Sequence, residues 1–134
     1  RLRFDREGDR VTTTYRAGEA HQGFPGYLHG GVITALLDEV MSRVSLLEDR
    51  WTITASMDIK FRRPIFVEQT VHASAEKTRH MRRFIEVRGT VTLPDGNVAA
   101  EAAGRFVFLK GEDLDRISAG YPELSRRWGM GSER

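Results

Sequence analysis

The chain has 134 residues with no Cys, 40% apolar and 30% charged residues, and a formal net charge of +2, a length that suits one domain with one core. The lack of thiols excludes a disulfide framework, a Cys nucleophile and any Cys-ligated metal or iron–sulfur site, and no apolar run approaches the roughly 20 residues of a membrane span. The small charge does not by its magnitude suggest nucleic acid, although a pI near 9.3 and clustered arginines direct attention to anionic ligands.

Residues 2–7 and 10–16 (LRFDRE and RVTTTYR) flank Gly8-Asp9 and are rich in Val, Thr, Tyr and Phe, the composition of a hairpin or two short strands. The chain starts with Arg rather than Met and shows no apolar signal region, so it is expected to be trimmed at its start, a removed targeting segment being invisible. From Ala17 to Leu28 glycine and proline accumulate, as in a loop with unusual dihedrals or a close approach. Then the period changes. Val32, Ile33, Leu36, Leu37, Val40, Val44 and Leu47 fall within about half of a helical wheel, which predicts one long, deeply buried helix. Four β-rich segments follow, 51–64, 69–78, 82–93 and 97–110, and Pro94-Asp95-Gly96-Asn97 is the clearest hairpin turn between them. His80 and Met81, between Arg79 and the Arg82-Arg83 pair, are expected to form a turn. The order predicts an α+β domain, an antiparallel β-sheet wrapped around one long central α-helix, with its core in about 10–110. Residues 111–134 read as a short helix broken at Gly120-Tyr121-Pro122, and a tail.

One charge stands out. Thr34, Asp38, Ser42 and Ser45 share a narrow stripe of small polar residues at about 200° to 280° on the same wheel. Glu39 lies about 100° away and one turn before Arg43, where a solvent-facing i,i+4 ion pair accounts for it. A small-residue stripe lets a backbone, a helix or a ligand come close, so Asp38 could act there. It could equally be a carboxylate at the edge of the buried face that is simply solvated or hydrogen-bonded. Gly30 and Gly31 stand at the helix start, where unpaired N–H groups and the dipole favour an oxygen gaining negative charge; the other reading is a sharp loop-to-helix turn. Asp38 is eight residues beyond Gly30, about 12 Å along the axis. One small substrate would not easily touch both, and a second subunit would resolve the mismatch.

The stretch PGYLHGGVITALLDE (25–39), followed by TASMDIKFRRPI (54–65), resembles the hotdog-fold acyl-CoA thioesterases, in the branch related to phenylacetate-pathway and human thioesterase-superfamily members. The likeness covers roughly residues 10–110. It implies homodimers, often paired into homotetramers, whose active sites draw on both protomers. The Gly30 N–H, assisted by Gly31, would polarise the thioester carbonyl, and Asp38 of the partner subunit would serve as general base or as nucleophile. Thr54, sixteen residues after Asp38, matches the Ser/Thr that positions the attacking water. The sequence departs from many phenylacetate-type members at Gly23, where they place an Asn six residues before the histidine; the loop is closer to the branch acting on fatty acyl-CoAs, and Gln22 or His21 is a candidate replacement.

His29 could cap the helix or meet the substrate, and a histidine in that place is more often a cap. Lys60, Arg62 and Arg63, with Arg79, Arg82 and Arg83, carry charge suited to CoA phosphates, against a plain reading as solvated surface. Phe24, Tyr27, Met41 and Met57 are candidates for the walls that set acyl-chain specificity. No His, Asp and Glu triplet has metal-ligand spacing, so neither a metal nor a cofactor is expected, CoA entering only as part of the substrate. The expectation is a cytoplasmic hydrolase of lipid metabolism with an acyl-CoA substrate, no nucleic-acid partner and no membrane span. The alternative is a non-catalytic acyl-CoA or lipid-binding protein of the same fold.

Overall fold

A computed structural model describes residues 2–120. The N-terminal hairpin forms as its composition predicts, β1 (Phe4–Glu7) against β2 (Arg10–Arg16), with Gly8 at a φ of 62° that favours glycine in the turn. The loop follows, containing a short 3-10 turn at Glu19–His21. The apolar run becomes α1 (Gly30–Ser42), and then β3 (Thr52–Phe61), β4 (Thr70–His80), β5 (Phe84–Thr92), β6 (Val98–Phe108) and α2 (Gly111–Gly120) complete the chain. All pairings are antiparallel, in the order β1-β2-β4-β5-β6-β3. The strand that leaves the helix therefore lies at one edge of the sheet, paired only with β6, while β4 crosses back to β2.

Strand alternation puts Val71, Ala73 and Ala75 of β4, Ile85, Val87 and Val91 of β5, and Ala100, Ala102 and Phe106 of β6 on the face that packs against Ile33, Leu36, Leu37, Val40 and Met41 of α1. Each large side chain in that layer contributes roughly 1.5–3 kcal/mol by leaving water. The helix comes close because the sheet has notches. A Cβ at Gly89 would stand 2.7 Å from both Cγ and Sδ of Met41, and one at Gly104 would stand 3.2 Å from its Cε. Met41 thus fills the core between the two glycines.

Three expectations need correction. The α-helix ends at Ser42, and Arg43–Glu48 continues as a 3-10 turn, which has about three residues per turn instead of 3.6. The wheel consequently loses phase after Ser42: Ser45 is fully buried and does not extend the polar stripe beside Asp38. The Glu39–Arg43 ion pair exists at 2.6 Å but faces solvent only at Glu39, whose side chain is 48% exposed, whereas that of Arg43 is 7% exposed with its guanidinium 3.8 Å from the centre of the Phe4 ring. Finally, β4 runs through His80 instead of turning there, because Arg79 pairs with Glu86 and His80 with Ile85 beyond a bulge at Lys77. The 94–97 turn is as expected, with Gly96 at a φ of 88° and Leu93 and Asn97 hydrogen-bonded across it. Tyr121-Pro122 and the tail lie outside the described residues.

Candidate active site

The two ends of β3 carry the groups singled out in the sequence. At its start, the Thr54 hydroxyl donates a 2.7 Å hydrogen bond to Oδ1 of the half-buried Asp38. Helix and strand are fastened together just behind that contact. Ser45 Oγ lies 3.3 Å from Thr52 Oγ1 and donates to the Ser42 carbonyl at 3.2 Å, so the end of α1 and the start of β3 hold a fixed spacing. No pattern in the sequence signals this tie, because it depends on the 3-10 turn bringing Ser45 inward. Oδ2 of Asp38 has no hydrogen-bond partner among the described residues, so one carboxylate oxygen is anchored and the other is available to take a proton.

At the opposite end of β3, the Phe61 ring lies 3.7 Å from the place a Gly30 Cβ would occupy. His29 caps the helix: its Nδ1 accepts the Gly31 N–H at 2.8 Å, while the Val32 and Ile33 N–H groups both donate to the His29 carbonyl. The Gly31 N–H is therefore engaged within the helix start. Gly31 has to be small, since a Cβ there would stand 2.9 Å from His29 Nδ1. Among the described residues the Gly30 N–H alone in this first turn finds no acceptor, which leaves one donor at the positive end of the helix. His29 holds that arrangement through the backbone.

The loop candidates are engaged with one another. Gln22 Oε1 accepts the Gly26 N–H at 3.0 Å and His21 Nδ1 lies 3.0 Å from the Tyr15 hydroxyl. Neither carbonyl nor ring nitrogen used in these bonds is free to stand in for the amide absent at Gly23. A Cβ at Gly23 would meet His29 Cα at 3.5 Å, ordinary contact, so crowding does not explain the glycine. Phe24 is 81% exposed and Tyr27 44% exposed, the latter tilted at 47° against the Phe66 ring with centroids 5.0 Å apart, while Met57 is half-buried on β3.

The six cations do not form one site within the protomer. Lys60, Arg62 and Arg63 lie at the Phe61 end of β3, Arg82 and Arg83 lie at the Thr52 end, where Arg83 O accepts the Phe108 N–H, and Arg79 stands level with Ser56 through Glu86 and Arg105. Nine residue steps of strand separate those ends, about 30 Å. Arg62 is paired with Glu101 at 3.3 Å and Arg79 with Glu86 at 3.9 Å. A groove of about 500 Å³ opens on the sheet face turned away from α1, among Ser56, Asp58, Lys60, Glu86, Arg88 and Arg105, and thus not at Asp38. Among the described residues there is no group of three His, Asp or Glu able to hold a metal ion, and no helix is long and apolar enough to cross a membrane.

What the protomer offers is a seated carboxylate with a hydroxyl beside it and, about 12 Å away along α1, a single backbone donor. The sequence profile of the Thioesterase superfamily matches residues 25–100, which include both ends of that arrangement. Human acyl-coenzyme A thioesterase THEM5 is 32% identical over 62 residues, covering 46% of this chain and 25% of the relative. Mouse acyl-coenzyme A thioesterase THEM4 is 25% identical over 104 residues, covering 77% and 45%. The chain spans less than half the length of either relative. Among solved structures, a Streptococcus mutans protein bound to acetyl CoA superposes with a TM-score of 0.77 at 20% identity, over 81% of this chain and 89% of that one. The Escherichia coli PaaI protein from the phenylacetic acid degradation operon does so with a TM-score of 0.77 at 15% identity, over 82% and 80%. At those identities the likeness is one of fold, and the fold is the expected α+β hotdog. With more than half of its length inside the family profile, the chain belongs to the thioesterase superfamily.

Proposed function

We propose that the protein is an acyl-CoA thioesterase that works as a homodimer, hydrolysing a thioester to free CoA and a carboxylic acid. The observation that carries this reading is the Thr54–Asp38 hydrogen bond at one end of β3, with the Gly30 amide at the other. β3 is an edge strand of ten residues whose second edge has no partner strand among the described residues, an arrangement suited to pairing with another chain. Antiparallel pairing of two such edges about a two-fold axis would set the Thr54 end of one strand beside the Phe61 end of the other. That would bring the Gly30 amide of one protomer towards the Asp38 of its partner and remove the distance problem. Further pairing of dimers into tetramers is consistent with this scheme.

In the reaction, the thioester carbonyl oxygen accepts the Gly30 N–H, and negative charge developing on it is held by the helix start. The Thr54 hydroxyl donates its hydrogen bond to Asp38, so its oxygen is left to accept a hydrogen bond from one proton of the attacking water. The unpaired carboxylate oxygen removes the other water proton as the oxygen attacks the carbonyl carbon. The tetrahedral species then collapses, the carbon–sulfur bond breaks, and the thiolate leaves and takes up a proton. Direct attack by Asp38 through an acyl-enzyme anhydride is the second route compatible with the same residues. A thiolate is a good leaving group, so the chemistry calls for no metal and no cofactor beyond the CoA of the substrate. A chain without Cys suits a reducing compartment such as the cytoplasm.

The test is steady-state release of free CoA thiol across acyl-CoAs of varied length and aromaticity. Asp38→Asn should abolish release while leaving the dimer and acyl-CoA binding intact, and Glu39→Gln should keep most of the activity. Equal rates for Asp38→Asn and the parent would sink the assignment. A protein that only holds acyl-CoA would bind it without release in the parent as well. A stable, active monomer in sedimentation would contradict the shared site.

A further inference from the structure

β3 ends on an aromatic ring. Residues opposite one another in an antiparallel pair share a face, and Met57, Ile59 and Phe61 stand opposite Gly104, Ala102 and Ala100, so all three point to the side of the sheet that carries α1. Met57 and Ile59 are half-buried there, but Phe61 is 55% exposed. A phenyl ring left that open forgoes much of what burial gives, and packing within the protomer does not account for it. Its edge is nonetheless placed, since Cε1 and Cζ both lie 3.7 Å from where a Gly30 Cβ would stand.

The backbone around the ring is pinned to the segment that bears Gly30. The Arg62 and Arg63 amides donate to one carbonyl, that of Ala99, at 2.7 and 3.0 Å, which fixes the chain just after Phe61. Further on, the Ile65 carbonyl accepts the Leu28 N–H at 2.8 Å, just before the helix start. Ring and amide therefore keep one spacing. By ordinary bond geometry the ring edge stands no more than about 6 Å from the Gly30 nitrogen. A carbonyl oxygen that accepts the Gly30 N–H at about 2.9 Å has its carbon about 4 Å from the same nitrogen. The first carbon of the acyl chain is bonded to that carbon, so it comes within reach of the ring together with any group it bears. The paired edges described above close the other side, because they set the Phe61 end of one strand beside the Thr54 end of the other.

We propose that Phe61 is a specificity-determining residue: its ring is the wall that meets the first carbon of the acyl chain, so the site takes thioesters in which that carbon is an unbranched methylene and turns away those that carry a substituent there. This rests on the thioesterase reading and adds the class of acyl group. A Cβ at Gly30 would touch the ring at ordinary contact distance, so Gly30→Ala keeps the N–H and adds a methyl beside the wall without displacing it. Phe61→Ala and Gly30→Ala thus act in opposite directions on one quantity.

That quantity is a ratio of kcat/KM, measured by thiol release for hexanoyl-CoA against its α-methyl derivative and for phenylacetyl-CoA against its α-methyl derivative. The proteins are the parent, Phe61→Ala, Phe61→Leu, Gly30→Ala and Val107→Ala. Val107 follows the buried Phe106 in β6 and is 38% exposed, so its truncation removes apolar surface from the opposite face of the sheet. In the parent the unbranched member should lead by about tenfold or more, the scale of one small group meeting an apolar wall. Phe61→Ala should bring the members to near equality through a faster branched one, Phe61→Leu should fall between, Gly30→Ala should widen the gap, and Val107→Ala should leave it as it is. Equal rates for both members in the parent, the same factor lost by both in Phe61→Ala, or an equal shift in Val107→Ala would overturn the proposal. If the parent cleaves neither pair, calorimetric titration takes over with ketone analogues of the hexanoyl pair, in which a methylene separates sulfur from carbonyl. A preference for the unbranched ketone that disappears in Phe61→Ala would uphold the wall while the hydrolase reading fails. Equal binding of the two ketones would overturn the wall, and no binding by the parent would remove both.

Discussion

Replacing Thr54 by Val removes the hydroxyl that seats Asp38 and leaves nearly everything else in place. Valine has almost the same shape and an equal liking for a strand, and the position is exposed, so the change in stability should stay within about 0.5 kcal/mol. What is lost is one hydrogen bond of 2.7 Å from a neutral donor to a carboxylate. Such bonds are worth about 1.5–3 kcal/mol when enclosed; with Thr54 open to solvent, about 1–2 kcal/mol is the appropriate range. If that bond orients the acid in the transition state, kcat falls roughly 5- to 30-fold with KM unchanged. Steady-state release of free CoA thiol measures it, and Thr54→Ser, which restores a hydroxyl, should recover most of the rate. The reasoning fails if Thr54→Val turns over like the parent, or if Thr54→Ser is as slow as Thr54→Val.

Gly89→Ala drives a methyl to 2.7 Å from the Met41 thioether and should lower unfolding stability by about 1–3 kcal/mol in urea. Combined with Met41→Ala it should cost less than the sum of the two single changes, and strict additivity would show that the two positions do not touch. His29→Ala removes the cap on Gly31 and should cost about 1 kcal/mol; His29→Asn, which can accept the same N–H, should restore the melting temperature, and its failure would place the role of His29 outside the cap. The Asp95 carboxyl is held below the usual carboxylate range by the Asn97 backbone N–H and then the Asn97 side-chain amide. A group depressed on folding stabilises the fold above its unfolded pKa, and that contribution disappears as pH falls through the folded value. An NMR titration of Asp95 should therefore run more acidic than in the unfolded chain, and an equal value in both would refute the turn geometry.

How far the sequence disclosed this structure depends on the range of the forces involved. The apolar period of α1, the β-rich segments and the 94–97 turn are set by neighbours within a few residues, and each formed where the pattern placed it. The α+β hotdog layout was legible for the same reason. The change from α to 3-10 geometry at Arg43 was not, because the contacts that accompany it reach Phe4, in the chain's first strand, and Thr52, on the strand that follows. That one change explains why Arg43 and Ser45 are inside when a uniform wheel put them at the surface. At the site, the sixteen-residue spacing of Asp38 and Thr54 was readable and the two side chains do meet. Which of the two glycines keeps a free N–H was not, since it turns on the rotamer of His29. The six cations looked like one group because the sequence lists charges without saying at which end of a strand they come to rest.

The loop before α1 is tied at nearly every step. The Gly23 N–H bonds Tyr27 O, Gly26 bonds Gln22, Leu28 bonds Ile65, His29 bonds His21, and Val67 bonds Gly26. Its last link is the His29 side chain on Gly31. The chain segment next to the Gly30 amide thus has its conformational freedom removed when the protein folds, and little remains to be lost each time a ligand arrives. A donor mounted in this way answers to a carbonyl placed correctly and gives nothing to one that is misplaced, so selection among ligands falls to the walls around it, while the amide itself acts as a fixed gauge of position.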